Sequence, residues 1–212
     1  MPTPIALTPK RRSRERASHR RAILAAARRL FARKGYGSTT LEEIARRAEF
    51  GKGTLYGYFR NKEDLFDHMV EGLLGDLLSI ARVVSAGPGG ARDKFRRYAL
   101  LMMSYYRRNG DYLRIVSREI NTLESGSQRR RHRRILAGFR EIAALLGSNL
   151  RAEVGAGMVV SEDPTELAQV FVALLHNRSI RRSLERGGLA SLNPGEEADF
   201  ITRLYFEGVS IR

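Results

Sequence analysis

No stretch of the chain alternates apolar and polar residues with period two, whereas apolar residues recur at helical spacing from end to end. In "HRRAILAAARRLFARKG" the residues Ile23, Ala26, Ala27, Leu30 and Phe31 form one stripe, and Gly35 follows as the residue that ends the helix. "TTLEEIARRA" opens with Thr40 three residues before Glu43, the spacing of a capping box in which hydroxyl and carboxylate satisfy opposite free amides. A second short helix, about 52–58, follows after a three- or four-residue turn and is too short to be stable alone. "NKEDLFDHMVEGLLGDLLSIARVV" predicts a longer helix with Asn61 as its cap and Asp64 at the third position, broken by "SAGPGG" at 85–90. Further helices are expected over 91–108, 111–124 and 128–153, separated by Asn109-Gly110 and Ser125-Gly126-Ser127. Asp163 caps the next helix and Pro164 opens it; "GGLASLNPG" is a loop, and "GEEADFITRLYFEGV" supplies the last helix. The pattern predicts an all-α fold of about nine helices.

Two late helices carry more apolar surface than one stripe needs. "VFVALL" at 170–175 is apolar on every side, and the last helix offers Phe200, Ile201, Leu204, Tyr205, Phe206 and Val209. Both can be central core helices, or they can form a dimer interface with Phe171, Leu174, Leu175, Ile201, Leu204 and Tyr205 facing a second copy. The excess favours the dimer. "FRRYALLMMSYYRRNGDYLRIV" interleaves Tyr and Met in a stripe that reads first as core. Were a cavity present, Tyr98, Met102 and Tyr105, with Phe139 and His176, are its candidate lining, suited to an amphipathic or aromatic small molecule.

Composition narrows the picture. The 212 residues are 42% hydrophobic and include no run near the ~20 apolar residues that span a bilayer, so no membrane association is expected. Cysteine is absent, which excludes disulfides and thiolate chemistry and fits a cytoplasmic protein. The first 17 residues have no apolar signal region and read as a disordered basic arm. Net charge is +15, and it is unevenly spread: residues 1–60 hold 15 Lys/Arg against 4 Asp/Glu, residues 61–212 hold 23 against 19. A basic N-terminal quarter on a nearly balanced body points to a polyanion partner. "QRRRHRR" at 128–134 wraps a full helix circumference and reads as a solvated helix start. His19, His68, His132 and His176 are scattered, so no metal or other cofactor is expected. No paired carboxylates or Ser-His arrangement supports catalysis, and the chain is not expected to be an enzyme.

The two short helices near residues 41–48 and 52–58 have helix-turn-helix dimensions. Ile44, Ala45, Ala48, Phe50, Leu55 and Phe59 would pack inward, leaving Lys52, Gly53, Thr54, Tyr56 and Tyr58 on or near the outer face. Lys52 and Lys62 both stand at helix starts, where the macrodipole disfavours a cation and a docked phosphate would reverse the sign. Gly53 has no side chain to hold the backbone off a groove floor, and the tyrosines offer hydroxyls to phosphates and ring edges to thymine methyls. "GKGT" is not a P-loop, since that motif needs glycine where Arg46 stands and Ser or Thr where Gly53 stands.

"TTLEEIARRAEFGKGTLYGYFRNKEDLF" resembles the signature of the TetR family of bacterial transcriptional regulators, and the resemblance covers residues 18–70. It implies a helix-turn-helix DNA-binding domain at 18–62 and a ligand-binding and dimerisation domain at 63–212, after the arm at 1–17. It implies a homodimer whose recognition helices enter successive major grooves of a near-palindromic stretch of double-stranded DNA, and a small-molecule effector that lowers DNA affinity. By that resemblance Thr40, Lys52, Gly53, Thr54, Tyr56, Tyr58 and Lys62 make the DNA contacts, with Thr40 as cap and phosphate ligand and Lys62 as the phosphate lysine that opens the fourth helix. The sequence departs from the family at Glu49-Phe50-Gly51, where Gly-Val-Ser is commoner, and at Gly57, where a larger side chain is usual. A repressor released by its effector is the leading expectation; a constitutive DNA-binding protein, or an activator without an effector, is the alternative.

Overall fold

A computed structural model describes residues 9–121, 126–158, 160, 162–185 and 188–209. Residues 1–8 of the expected arm, Ser125 and the end of the helix expected over 111–124, and Gly187 of the expected loop lie outside the described residues, as does the side chain of Val209. Every regular element among the described residues is helical. The chain divides into two compact units, Met1–Met69 and Val70–Arg212.

The first unit holds α1 (Pro9–Lys34), α2 (Leu41–Arg47), α3 (Lys52–Tyr56) and the start of α4 (Lys62–Ala86). Its core is the expected stripe of α1, from Ile23 to Phe31, closed by Ile44, Ala45, Leu55, Phe59, Leu65 and Phe66, all buried. Phe31, Tyr36 and Phe66 pack as a triangle with ring centroids 5.1–5.6 Å apart. Residues 9–17 belong to α1 and are not a disordered arm. The sequence places Pro9 at the first position, where proline is favoured, and no glycine or proline interrupts the chain from there to Lys34.

The second unit holds the rest of α4, then α5 (Ala91–Arg108), α6 (Gly110–Asn121), α7 (Gly126–Gly147), α8 (Arg151–Gly155), α9 (Pro164–Leu184), a 3-10 turn over Gly188–Ser191 and α10 (Pro194–Val209). The main packing pairs are α5 with α10 and α7 with α9. Phe95, Phe171, Tyr205 and Phe206 meet at the centre, with centroids 4.8–5.7 Å apart. The buried Tyr205 hydroxyl donates to the Leu167 carbonyl at 2.8 Å. The helix expected over 128–153 is two helices, which brings the described α-helices to ten. At Gly147 a Cβ would stand 2.4 Å from the Pro164 carbonyl oxygen, so the start of α9 passes where the first helix ends.

The basic run at the start of α7 is not simply solvated. Arg131 is buried and donates to the equally buried Glu119 of α6 at 3.0 Å, and Arg134 pairs with Glu71 of α4. A buried cation persists in a core only with such a partner, and that partner lies twelve residues back on another helix.

Candidate nucleic-acid interface

The turn between α2 and α3 is built from its caps. Thr40 accepts from the Glu43 amide and Glu43 accepts from the Thr40 amide, both at 3.2 Å, which is the expected capping box. At the other end of α2 the Phe50 amide donates to Ala45 at 2.9 Å and the Glu49 amide to Arg46 at 3.2 Å. These two bonds form a Schellman motif, whose residue past the cap sits in left-handed backbone. Here that residue is Glu49, with φ +62°, a conformation that glycine adopts freely and glutamate does not. Gly51 caps α3 without any side-chain bond.

The mounting leaves one face of α3 open. Leu55 is fully buried, while Lys52, Gly53, Thr54 and Tyr56 are exposed, Tyr56 at 47%. Thr40 is exposed as well, and its hydroxyl, which accepts from the Glu43 amide, is also placed to donate to the Glu42 carboxylate. Lys52 pairs with Glu42 at 2.5 Å, and the hydrogen bond between them holds the Glu42 carboxyl below and the Lys52 ammonium above their ordinary ranges. Lys34 likewise pairs with Glu43 and, with the Thr40 amide, keeps that carboxyl low.

Two of the expected contacts are occupied within the chain. Lys62 does stand at the start of α4, but its ammonium donates to the carbonyls of Tyr36, Gly37 and Thr39 at 2.8–3.2 Å and lies 4.5 Å from the Tyr36 ring centroid. Those carbonyl oxygens accept the hydrogen bonds that the macrodipole argument assigned to a phosphate, so Lys62 fixes the α1–α2 turn. Tyr58 is half-buried, its hydroxyl 3.2 Å from His19 Nδ1 and its ring 5.7 Å from the Arg16 guanidinium. Asn61 and Asp64 act as the sequence implied: the Asp64 amide donates to Asn61 at 2.8 Å, and Asp64 in turn accepts from the Arg60 amide at 3.0 Å.

Residues 23–69 match the family model described as bacterial regulatory proteins, tetR family. That segment is a TetR-family DNA-binding module. Over 58 residues, 27% of this chain and 30% of the relative, the chain is 43% identical to the uncharacterized HTH-type regulator YhgD of Bacillus subtilis. Over 90 residues, 42% of this chain and 43% of the relative, it is 33% identical to the HTH-type transcriptional repressor KstR2 of Rhodococcus jostii. The chain thus aligns with less than half the length of these curated relatives. The TetR fold extends further: the transcriptional regulator FadR of Bacillus subtilis, solved in complex with stearoyl-CoA, superposes with a TM-score of 0.73 at 18% identity, covering 89% of this chain and 98% of that one.

In the second unit the structure separates core from surface among the expected ligand and dimer residues. A half-open cleft of about 620 Å³ lies between α7 and α9, and Phe139 and His176 line it. Tyr98 and Met102 do not; they are buried in the core, and Tyr105 is turned to Asp76, to which its hydroxyl donates at 3.0 Å. Sequence reasoning missed Leu136, Val172 and Gln169 in the cleft wall, because nothing local tells a cleft wall from a core stripe. Of the six expected dimer residues, Phe171, Leu175, Ile201 and Tyr205 are buried within the subunit. Leu174 and Leu204 are exposed, at 39% and 53%, joined by Val170 at 53% and Phe200 at 38%. Val170, Leu174 and Arg178 follow one another at four-residue spacing on α9, and Arg178 lies over the Phe200 ring at 4.4 Å, so the two exposed rows adjoin.

The His176 surroundings are specific. Its Nδ1 is 3.3 Å from the Tyr106 hydroxyl, its ring lies 5.5 Å from that of Phe139, and its Nε2 is buried with no partner among the described residues. Burial raises the Tyr106 hydroxyl well above its usual range and pushes His176 down to about 4, so both are neutral near pH 7. When the phenol donates to Nδ1, the imidazole hydrogen sits on Nε2. Among the residues lining the cleft there is no carboxylate and one cation, Arg140.

Proposed function

We propose that this chain is a cytoplasmic homodimeric transcriptional repressor that binds double-stranded DNA through α3 and leaves it when a small amphipathic molecule enters the α7–α9 cleft. The observation that carries the DNA reading is the open face of α3, where Lys52, Gly53, Thr54 and Tyr56 are exposed on a helix fixed by capping bonds and by Leu55 beneath. A rigid mount with an exposed polar face is what base and phosphate contact requires. Thr40 adds a hydroxyl donor beside it. Tyr58, held by α1 at its ring and hydroxyl, stands beside the phosphate path, and Lys62 acts indirectly by holding the α1–α2 turn.

The cleft supports an effector with an apolar body and a hydrogen-bond acceptor. Phe139, Leu136 and Val172 supply the apolar wall, His176 Nε2 supplies a buried donor, and the lack of lining carboxylates disfavours a cation. An apolar tail with an acceptor-bearing head is also the chemistry of the stearoyl-CoA held by the FadR of similar fold. The exposed rows of α9 and α10 form the face for the second copy. Since α4 runs from the first unit into the second, effector binding can bias the spacing of two recognition helices across a dimer. A hundredfold release from DNA requires only about 2.7 kcal/mol of differential binding.

The test is retention of duplexes selected from a random pool. Lys52→Ala combined with Tyr56→Ala is expected to abolish retention while circular dichroism and sedimentation report an unchanged folded dimer. Unchanged retention overturns the DNA assignment. Failure of every amphipathic compound screened to release the wild type favours the constitutive alternative.

A further inference from the structure

The first turns of α1 have no structural reason to exist in their present form. Residues 11–18 are all exposed, and the apolar stripe begins only at Ile23. Residues 10–21 hold seven Lys/Arg and one acid, and the first turn carries no acidic residue to complement the helix dipole. Over residues 11–18 the helix is therefore a row of mutually repelling cations with no buried side chain.

The row is nevertheless anchored at one place. His19 packs on Phe50 with centroids 4.8 Å apart and bonds the Tyr58 hydroxyl, and Arg16 lies over the Tyr58 ring. Arg12, Arg16 and His19 share one helix face by their spacing, and that face looks onto the end of α3. Between them lies a cleft of about 340 Å³ lined by Arg12, Glu15, Arg16, His19, Gly57 and Tyr58. Gly57 has no side chain to fill it, at the position where the TetR pattern usually has a larger one. Arg12 and Arg16 against Glu15 give the cleft one net positive charge.

We propose that this cleft is a second DNA-backbone site, in which Arg12 and Arg16 bind a phosphate over Gly57 while His19 positions Tyr58 beside it, so that the helical extension of α1 lengthens the footprint of α3 along the strand. Glu15 is the opposing charge that the phosphate must outweigh. The proposal rests on the DNA-binding reading above.

The salt dependence of binding to a fluorescein-labelled random-sequence duplex of about 30 base pairs tests it, because each phosphate neutralised contributes about 0.9 to the slope of log K against log salt. Arg12→Ala with Arg16→Ala is expected to make that slope shallower by about 0.9 per subunit, and Glu15→Gln to raise affinity. Arg14 and Arg21 lie on the opposite face of α1, so Arg14→Ala with Arg21→Ala removes the same charge away from the cleft and should change the slope much less. Equal slopes for the cleft variant and wild type, or equal effects of the two double variants, overturn the inference while leaving the DNA-binding reading intact. A wild-type protein that does not bind duplex DNA overturns both. Circular dichroism on each variant confirms that α1 remains helical.

Discussion

Gly53 separates folding from recognition within a single residue. A Cβ built there meets nothing within 4 Å, and alanine in a helix is favoured over glycine by about 1 kcal/mol. Gly53→Ala should therefore raise the melting temperature of the free protein. If α3 sits as close to DNA as its bare backbone allows, the same substitution lowers DNA affinity. Melting and duplex titration on the one variant are expected to move in opposite directions, and a stabilised variant with undiminished binding would show that no close approach occurs. Glu49 offers the complementary case. Its φ of +62° costs about 1–2 kcal/mol, of which the entropy of an unfolded glycine returns roughly 0.4–1, so Glu49→Gly should be modestly stabilising in urea titration.

At the scale of elements, what the sequence disclosed and what it hid divide along one line. Caps are local, and Thr40 with Glu43, Asn61 with Asp64, and Asp163 with Pro164 all stand as their spacing implied. The role of Lys62 was not legible, because its carbonyl partners lie 23–26 residues back in a turn whose path only the tertiary fold sets. The orientation of α9 was hidden for a different reason. A helix apolar on every side carries no record of which row meets the core, so Phe171 and Leu175 could not be told from Val170 and Leu174. The same packing gives α9 an acid-sensitive point. His176 falls from 6.5 to about 4 through burial, so the unfolded chain binds its proton first and stability is lost as pH drops from 6.5 toward 4. The full loss amounts to about 3 kcal/mol. His176→Phe should lose less stability than wild type between pH 7 and 4.5 in urea denaturation, and equal losses would place the acid sensitivity elsewhere.

For the whole molecule the decisive question is assembly. The exposed rows of α9 and α10 join four large apolar residues, Val170, Leu174, Phe200 and Leu204, on one side of the second unit. Leu174→Glu with Leu204→Glu leaves the buried core residues in place and sets like charges across a symmetric face, where each residue meets its own copy or a near neighbour. Analytical ultracentrifugation is expected to find a folded monomer with greatly weakened binding to a two-half-site duplex. A variant that stays dimeric would move the interface to another surface.

The ion pair between Glu42 and Lys52 has a meaning beyond local geometry. A lysine that already holds a carboxylate meets DNA as an exchange of partners, and the displaced carboxylate is left facing a polyanion. Sequence-neutral duplex, which offers only charge, bears that cost without compensation. A matching groove offsets it with contacts along α3. On the proposed DNA reading the carboxylate is thus a rival to the phosphate, lowering the affinity of every complex in which Lys52 must leave it. Exposed pairs hold weakly, so the penalty from one of them is small. In the homodimer proposed above it is repeated in each subunit, so two small penalties shorten every stay on DNA that lacks the matching contacts.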